Sequence, residues 1–292
     1  MADFIQLLIA GLATGGIYAL AAVGFTLLWQ TSQTINFAQG EFVMLPAFFV
    51  LIGMNYFGQP FWLSVVIALV VTMVTLGAMF KKLIVDPMIN HGVLPLVIAT
   101  IGLAILMKEG VREFYGADAW PFPPLAEAIN VNVLGAALSL QSLVILGVSI
   151  AAVLALQLFL NGTRTGRQMQ ATAQNPTVAR LLGIPVERMI LYTFMINAAL
   201  VMLASLLITP IYLAKFSNGE LLGLYAFIAA IIGGFNQMRG AIAGGLLLGV
   251  IDNFTAVYIS TQYRLVVPLL FLIVIILFRP QGLFGRVEER TV

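Results

Sequence analysis

Residues 189–214, MILYTFMINAALVMLASLLITPIYLA, contain no Asp, Glu, Lys, Arg or His side chain. Further charge-free runs extend over residues 4–40, 42–80 and 265–278. A helix needs about 20 apolar residues to cross the roughly 30 Å hydrocarbon core of a bilayer. The runs also lack the alternating pattern of a membrane β-barrel. They therefore predict membrane-spanning helices, because only helices and closed barrels satisfy every backbone polar group in lipid.

The composition of the whole chain supports a membrane location. Of its 292 residues, 61% are hydrophobic and 9% are charged, whereas a soluble domain is about 45–50% apolar and about 25% charged. So few charges cannot cover a water-soluble globule, and a net charge of +2 gives no basic surface for nucleic acid. The absence of Cys excludes a disulfide-rich scaffold. We predict an all-α integral membrane protein.

The spacing of charges predicts nine passes within a single membrane domain, residues 1–292. Gly and Pro interrupt several apolar runs, so some passes are broken and the count lies between about eight and ten. The passes are placed near residues 4–29, 42–57, 62–80, 93–107, 140–160, 189–213, 221–236, 241–259 and 265–279.

The basic residues predict how the chain crosses the membrane, because cytoplasmic loops are enriched in Lys and Arg. Ten of the 14 basic residues fall on the side of the C-terminus and of residues 161–187, so this side is predicted to be cytoplasmic. Nine passes then place the N-terminus outside. We expect the first helix to be retained, because MADFIQ lacks the basic start of a secretory signal. The ten residues are Lys81, Lys82, Arg164, Arg167, Arg180, Arg188, Arg239, Arg279, Arg286 and Arg290.

Two interruptions of the apolar pattern, both read as breaks in helices, carry similar sequences. Residues 37–48, FAQGEFVMLPAF, align without a gap with residues 216–227, FSNGELLGLYAF, and six positions are identical. In the predicted topology the two copies enter the membrane from opposite sides, which is the arrangement of an inverted repeat. The repeat halves are roughly residues 1–160 and 188–285. Transporters with such repeats handle substrate where the repeats meet.

Both copies carry an acid at the same place, Glu41 and Glu220. Two interpretations stay open. Each carboxylate lies at a helix start, where the positive end of the helix dipole stabilises it, or each lines a translocation path, since buried acids in membranes tend to be functional. Lys215 stands where the first copy has Asn36, so the copies need not act identically. The candidate path residues are Asn36, Gln39, Gly40, Glu41, Asn218, Gly219 and Glu220.

Three other features receive structural interpretations. Asp252 interrupts an apolar run and is expected to pack against polar neighbours, with a path-lining position as the alternative. Small residues recur through residues 232–249 at a spacing that lets membrane helices approach closely. His91 is the one histidine and has no second His or Cys at ligand spacing, so we predict no metal site.

The longest charged region, residues 161–187, predicts two short helices separated by a break. Asn175 is a good N-cap, and Pro176 suits the first helical position because its missing N–H costs nothing there. Gly183 supplies the left-handed residue that ends the second helix, and Pro185 stops it from continuing. The second helix, predicted over residues 176–182, is therefore short and capped at both ends.

A helix of this length is unstable alone in water and must pack on something. Val178, Leu181 and Leu182 give it an apolar face. That face could lie on the lipid surface, but such helices are usually longer and carry more basic residues. With a single Arg and tight caps, the helix fits better into the groove of a partner protein.

The residues of this region are recognisable. GRQMQATAQNPTVARLLGIPVERM, residues 166–189, resembles the cytoplasmic coupling-helix region of permeases from branched-chain amino acid ABC importers. INFAQGEFVML at 35–45, IIGGFNQMRGAIAGGLLLGVI at 231–251 and FRPQGLFGR at 278–286 also resemble that family, in its order. Without a long N-terminal extension, the chain looks like the shorter of the family's two permease subunits.

The resemblance implies a multi-pass protein of the bacterial inner membrane that imports branched-chain or other hydrophobic amino acids, although relatives take amides, urea or other small solutes. It also implies a second permease subunit in a heterodimer or homodimer, two cytoplasmic ATPase subunits and an extracytoplasmic substrate-binding protein. No Gly-x-x-x-x-Gly-Lys-Ser/Thr motif occurs, so we expect ATP hydrolysis in a partner and no enzyme activity or cofactor here. The residues implied to couple to the ATPase are Asn175, Pro176, Ala179, Arg180, Leu181, Leu182 and Gly183.

Two functions other than that of an ABC permease are possible interpretations of the sequence. A stand-alone secondary transporter or channel for small polar solutes usually needs several intramembrane acids. Glu41, Glu220 and Asp252 are the only candidates for that role, and the short capped helix would be unexplained. An intramembrane enzyme needs a paired nucleophile and base, which one His and no Cys do not supply. Co-purification of an ATPase separates the permease from the stand-alone transporter.

Overall fold

The computed structural model describes residues 2–88, 91–127, 129–133 and 136–285. Most of these residues lie in helices, which confirms the predicted all-α membrane fold. Arg286 and Arg290, which contributed to the predicted orientation, lie outside the described residues. In chain order the helices are α1 (Ala2–Ser32), α2 (Gln39–Asn55), α3 (Phe61–Thr72), α4 (Asp86–Met88), α5 (Val93–Tyr115), α6 (Leu140–Gly162), α7 (Arg164–Gln174), α8 (Pro176–Leu181), α9 (Val186–Tyr212), α10 (Asn218–Gly233), α11 (Met238–Phe254) and α12 (Val266–Phe278).

Nine apolar helical rods coincide, over the described ranges, with the nine predicted passes. Six of the rods are long and apolar enough to cross a membrane, whereas α2, α10 and α12 are shorter. At 1.5 Å per residue α2 reaches only about 26 Å, less than the roughly 30 Å core. Helices α2 and α10 both begin at the repeated sequence, so two of the short rods lie where the sequence predicts broken passes.

Helices α3 and α4 belong to one continuous rod, Phe61–Met88. Two π-helical stretches, Met73–Met79 and Lys81–Val85, join them. A π-helical turn inserts an extra residue into an α-helix, and such turns occur frequently at functional sites. Helix α11 likewise continues as a π-helical stretch, Thr255–Ile259.

A short antiparallel hairpin between α5 and α6 departs from the purely helical prediction. Its strands are β1 (Asn130–Val133) and β2 (Ala136–Ser139), and Val131 pairs with Leu138. The connection from α5 to α6 is the longest one between apolar rods, so its backbone polar groups need partners that no helix supplies. The hairpin provides some of those partners.

The chain forms two compact units. The first unit contains Met1–Thr26, Ala126–Ile150 and Leu224–Val292. Within it, the backbones of α1 and α11 touch: a Cβ atom on Gly15 would lie 2.8 Å from the Leu246 Cα, and one on Gly245 would lie 2.5 Å from the Ala19 Cα. This contact confirms the packing role predicted for the small residues of 232–249.

The second unit contains Leu27–Leu125 and Ala151–Gly223. Its apolar core is formed by α2, α3 and α9 together with residues from α5 and the loops. On the opposite faces, large side chains such as Ile98 and Leu106 of α5 are more than half exposed, as expected where a helix contacts lipid. The buried core residues are Met44, Ala47, Phe48, Val50, Leu51, Ala68, Val111, Phe122, Met202, Leu206 and Ala214.

Candidate functional site

The two copies of the repeated sequence meet inside the second unit, where α2 and α10 cross. Gly40 lies in the first turn of α2, and Gly219 and Gly223 lie at the start of α10. A Cβ atom on Gly40 would overlap the carbonyl oxygen of Gly219, and one on Gly223 would lie 2.9 Å from the Gly40 Cα. Real Cβ atoms essentially never approach other atoms within 3.0 Å. Only glycine therefore permits the crossing.

Buried amides fix the start of α2. Asn36 Oδ1 accepts a hydrogen bond from the Ala38 backbone N–H at 3.0 Å, which orders the turn before the helix. Gln39 exchanges two amide hydrogen bonds with Asn197 of α9, at 2.8 Å and 3.2 Å. All three polar side chains, Asn36, Gln39 and Asn197, are fully buried. Because an unpaired buried amide costs roughly 1–3 kcal/mol, this exchange ties the start of α2 to α9.

The second copy starts α10 in a different way. Helix α9 runs through Pro210 and ends at Tyr212, and Leu213 then adopts a left-handed backbone with a φ of 62°. Asn218 Nδ2 donates a hydrogen bond to the Leu213 carbonyl oxygen at 2.6 Å, which closes the loop before α10. The predicted interruption is therefore a five-residue loop, residues 213–217.

Glu41 and Glu220 both lie in the first turn of a helix, which confirms the predicted helix-start position. Their surroundings differ. The Glu41 side chain is buried in the crossing, 4% exposed, and its Oε1 would lie 3.0 Å from a Cβ atom on Gly219. The Glu220 side chain is 58% exposed, and its carboxylate pairs with Lys108 Nζ of α5 at 2.5 Å. The contact of either acid with substrate stays a prediction.

Three residues that the sequence analysis did not select take part in this region. Asn197 pairs with Gln39, and Lys108 pairs with Glu220. Thr100 of α5 is fully buried and accepts a hydrogen bond from the Phe37 backbone N–H at 3.2 Å. A signal for Asn197 was present, because an amide inside a 26-residue charge-free run needs a buried partner. The sequence contains no comparable signal for Thr100.

A small pocket lies beside the crossing. One wall is apolar and comes from α2, while Lys215, Asn218 and Thr209 contribute polar groups. Of the candidate path residues, only Asn218 lines this pocket. No group of three or more His, Asp and Glu side chains in the described part of the chain could hold a metal ion. The lining residues are Val43, Met44, Ala47, Phe48, Ile208, Thr209, Ala214, Lys215, Asn218 and Leu222.

The charged region 161–187 forms two short helices, as predicted. Helix α7 begins after Thr163, whose Oγ1 accepts a hydrogen bond from the Gly166 backbone N–H at 2.9 Å. Gly166 lies so close to the end of α6 that a Cβ atom on it would be 2.5 Å from the Leu160 Cα. Met169 and Thr172 are buried on the same face as Gly166. Helix α7 is therefore fixed to the membrane helices along one side.

Both predicted caps of α8 are confirmed. Asn175 Oδ1 accepts hydrogen bonds from the Thr177 and Val178 backbone N–H groups, each at 3.0 Å. Gly183 has a φ of +78°, and its N–H and that of Ile184 donate to the Arg180 and Ala179 carbonyl oxygens, each at 3.0 Å. This pair of bonds is a Schellman motif. Because of it, α8 ends at Leu181, one residue before the predicted end at Leu182.

The caps hold α8 with its leucines facing outward. Ala179 is buried on the inner side, 2% exposed. Leu181 is 83% exposed, Leu182 is 73% exposed and Val178 is half exposed. Arg180 forms an ion pair with Glu187 of α9 at 3.0 Å. A rigid, capped helix thus presents an apolar surface that nothing in the described chain covers.

Asp252 has the polar neighbours that the sequence analysis predicted. Its carboxylate is fully buried in the first unit and accepts a hydrogen bond from Arg264 Nε at 2.9 Å. The hydroxyl groups of Tyr18 and Tyr225 lie 3.4 Å and 3.3 Å from its oxygens, and their rings stack at 4.9 Å. The cluster joins α1, α10 and α11 with the loop before α12.

Comparisons with known proteins agree over nearly the whole chain. A family model described as "Branched-chain amino acid transport system / permease component" matches residues 7–276. The chain is 32% identical to the high-affinity branched-chain amino acid transport system permease protein LivH of Escherichia coli K12, over 99% of this chain and 98% of LivH. It is 31% identical, with the same coverage, to the permease protein BraD of a system with the same description in Pseudomonas aeruginosa.

A solved structure has a similar fold. The structure of PsaBC from Streptococcus pneumoniae in complex with Fab contains a chain that aligns with a TM-score of 0.54. The alignment covers 96% of each chain at 12% sequence identity. At this identity the similarity concerns the fold alone.

Proposed function

This chain belongs to the branched-chain amino acid transport system permease family, and we propose that it moves branched-chain or related hydrophobic amino acids across the inner membrane as part of an ATP-driven importer. Its similarity to LivH and BraD extends over nearly the full length of each chain, which supports the same transport role. Six helices long enough to cross a membrane support a multi-pass permease.

Translocation is assigned to the crossing of α2 and α10 and to the pocket beside it. The pocket has an apolar wall from α2, and Lys215 and Asn218 are among the polar residues that line it. An amino acid with an aliphatic side chain and a carboxylate matches this division, because binding sites combine apolar walls with a few polar groups that fix orientation. Glu41, buried inside the crossing, is the acid that we assign to the path.

The exposed apolar surface of α8 is the observation that carries the ATP-driven mechanism. Leu181 and Leu182 sit on a helix that is capped at both ends and attached through buried Ala179. Ordering residues 176–182 costs conformational entropy, and the exposed leucines offset none of this cost unless a partner covers them. We assign the partner as a cytoplasmic ATPase subunit, whose groove receives the leucines while Arg180 faces the polar rim.

The remaining parts of the importer follow from the same assignment. A second permease subunit, a pair of ATPases and an extracytoplasmic substrate-binding protein complete the complex, and substrate choice rests largely with the binding protein.

The N-terminus is proposed to lie outside and the C-terminus in the cytoplasm. Because the chain has no Cys, single cysteines introduced at Ala2 and Val292 can be labelled by an impermeant reagent. Labelling from the same side would contradict the odd number of passes.

Reconstitution tests the proposed function directly. The permease is co-expressed with the second permease, ATPase subunits and binding protein of the same organism, and the complex is incorporated into liposomes. We expect uptake of radiolabelled leucine that requires both ATP and the binding protein. Uptake that proceeds without the ATPase, driven by a proton or sodium gradient, would instead identify a stand-alone secondary transporter.

A further inference from the structure

We propose that Glu187 is a positioning residue that transmits movement of α8 to the crossing of α2 and α10, through Lys81 and the π-helical part of the Phe61–Met88 rod. The inference rests on the proposed function of α8 as the ATPase contact.

The route begins with a set of charges shared between three elements of the second unit. Glu187, in the first turn of α9, accepts from Arg180 of α8 at 3.0 Å through Oε1. Its other oxygen, Oε2, lies 3.6 Å from Lys81 Nζ. Lys81 also binds Asp86 at 2.7 Å and 2.9 Å. One carboxylate thus connects α8 with the rod.

Stability does not account for the two contacts of Glu187. The Glu187 and Arg180 side chains are 68% and 60% exposed, and exposed ion pairs contribute little to folding stability. Lys81 is different, because its side chain is 8% exposed and already paired with Asp86. We therefore assign Glu187 a role in transmission: it links α8, which contacts the partner, to a buried lysine of the Phe61–Met88 rod.

The route continues from Lys81 through aromatic contacts. Its neighbour Phe80 is buried against Phe42 of α2, with ring centroids 5.0 Å apart, and against Phe194 of α9 at 5.7 Å. Phe42 is fully buried and directly follows Glu41 in the first turns of α2. A displacement of Lys81 along the rod therefore reaches the crossing through one side-chain contact, that of Phe80 with Phe42.

The backbone of the rod departs from regular α-helical geometry on both sides of Phe80. Lys81 starts the π-helical stretch Lys81–Val85, and the stretch Met73–Met79 precedes it. Because π-helical turns interrupt the regular bonding of an α-helix and are frequent at functional sites, we place the displacement at these two stretches. At Gly77 the rod lies close to α9, since a Cβ atom there would be 3.1 Å from the Met195 Cα. Through that contact, α9 supports the π-helical part of the rod.

The test measures the leucine transported per ATP hydrolysed, on the same proteoliposomes, with the complete importer. We expect Glu187→Gln to retain its ATPases in normal amounts and to lower this ratio at least about threefold. Arg180→Gln should lower the ratio similarly. The double variant Arg180→Gln/Glu187→Gln should be no worse than Glu187→Gln, because both residues act in one contact. The control is Glu109→Gln, which removes the exposed Glu109–Arg112 pair of α5, 3.2 Å long, and should leave the ratio unchanged.

Three results would overturn the route. One is a normal ratio in Glu187→Gln, and another is a double variant whose loss equals the product of the two single losses. The third is release of the ATPases from Glu187→Gln, because Glu187 would then serve docking rather than transmission. Failure of the proposed function looks different: the wild-type importer itself would show no ATP-dependent uptake, before any variant is compared.

Discussion

Gly40 packs directly against the carbonyl group of Gly219, although the two residues are 179 positions apart in the chain. The two glycines occupy equivalent positions in the repeated sequence, so the repeat brings its own copies into contact. Close approach of this kind lets membrane helices gain van der Waals contact without any hydrophobic driving force from the surrounding lipid. The contact also leaves no room for a side chain, which makes the crossing sensitive to the smallest substitution.

Gly40→Ala should therefore damage the permease. The added methyl group meets backbone atoms of Gly219 and Gly223, which cannot rotate away, and overpacking of this kind costs about 1–3 kcal/mol. We expect lower thermal stability of the purified permease and reduced uptake. Gly102→Ala is the matched control, because nothing lies within 4 Å of a Cβ atom at that helical position. Equal behaviour of the two variants would show that the crossing tolerates expansion.

Substitution of the two equivalent acids should separate their roles. Glu220→Gln removes an exposed ion pair with Lys108, worth about 0–1 kcal/mol, and should leave uptake nearly normal. Glu41→Gln keeps the shape of a side chain buried in the crossing and removes its charge. We expect uptake, normalised to the amount of inserted protein, to fall in this variant. Normal uptake in Glu41→Gln would leave the acid with a helix-start role only, worth about 0.3–1 kcal/mol.

The buried pair of Asp252 and Arg264 should behave as a unit. Arg264→Met leaves a carboxylate that is fully buried without its cation, which costs about 3 kcal/mol, at the low end for buried pairs because Arg264 is partly exposed. The amount of folded protein that can be extracted from the membrane should decrease strongly. Asp252→Asn combined with Arg264→Met removes both charges and should restore most of that amount. If the double variant is as poor as the single one, the cluster does more than balance charge.

Leu182→Asp should uncouple the importer without unfolding the permease. Leu182 is 73% exposed, so the substitution is tolerated in the isolated chain. In the assembled complex it would bury an unpaired carboxylate in the ATPase groove, at a cost of several kcal/mol. Co-purification of the ATPases and substrate-stimulated ATP hydrolysis should both be lost, whereas Leu182→Met should retain them. An assembled and fully stimulated Leu182→Asp complex would place the coupling contact elsewhere.

The caps of α8 should matter to a smaller degree. Asn175→Ala removes both side-chain hydrogen bonds to the first turn and should cost about 1 kcal/mol of helix stability. Gly183→Ala should have a similar effect for a different reason: nothing obstructs its Cβ atom, but a φ of +78° is strained for alanine. We expect a partial loss of ATPase stimulation in each variant. Hydrogen exchange of the backbone amides of α8 measures the fraying directly.

Local patterns in the sequence predict the helices and their ends. A run such as residues 189–214 has few alternatives to a membrane helix, because in lipid the backbone must satisfy its own hydrogen bonds. The ends of α8 are equally predictable, because Asn175 and Gly183 cap backbone groups that lie within one helical turn of them. Its exact end was missed by one residue, at Leu182, because the Schellman bonds use the residues that follow the helix.

Only the tertiary structure decided which polar groups meet. The repeated sequence makes Glu41 and Glu220 equivalent, yet one is buried in the crossing and the other pairs with Lys108 on the surface of α5. Gln39 finds Asn197, and Asp252 finds Arg264 with two tyrosines. An apolar sequence fixes that a helix lies in the membrane but leaves its neighbours undetermined, because any apolar face can contact lipid. The partners follow from where glycines allow two backbones to approach. Such an approach depends on both helices of a pair, and the sequence of one helix alone does not determine it.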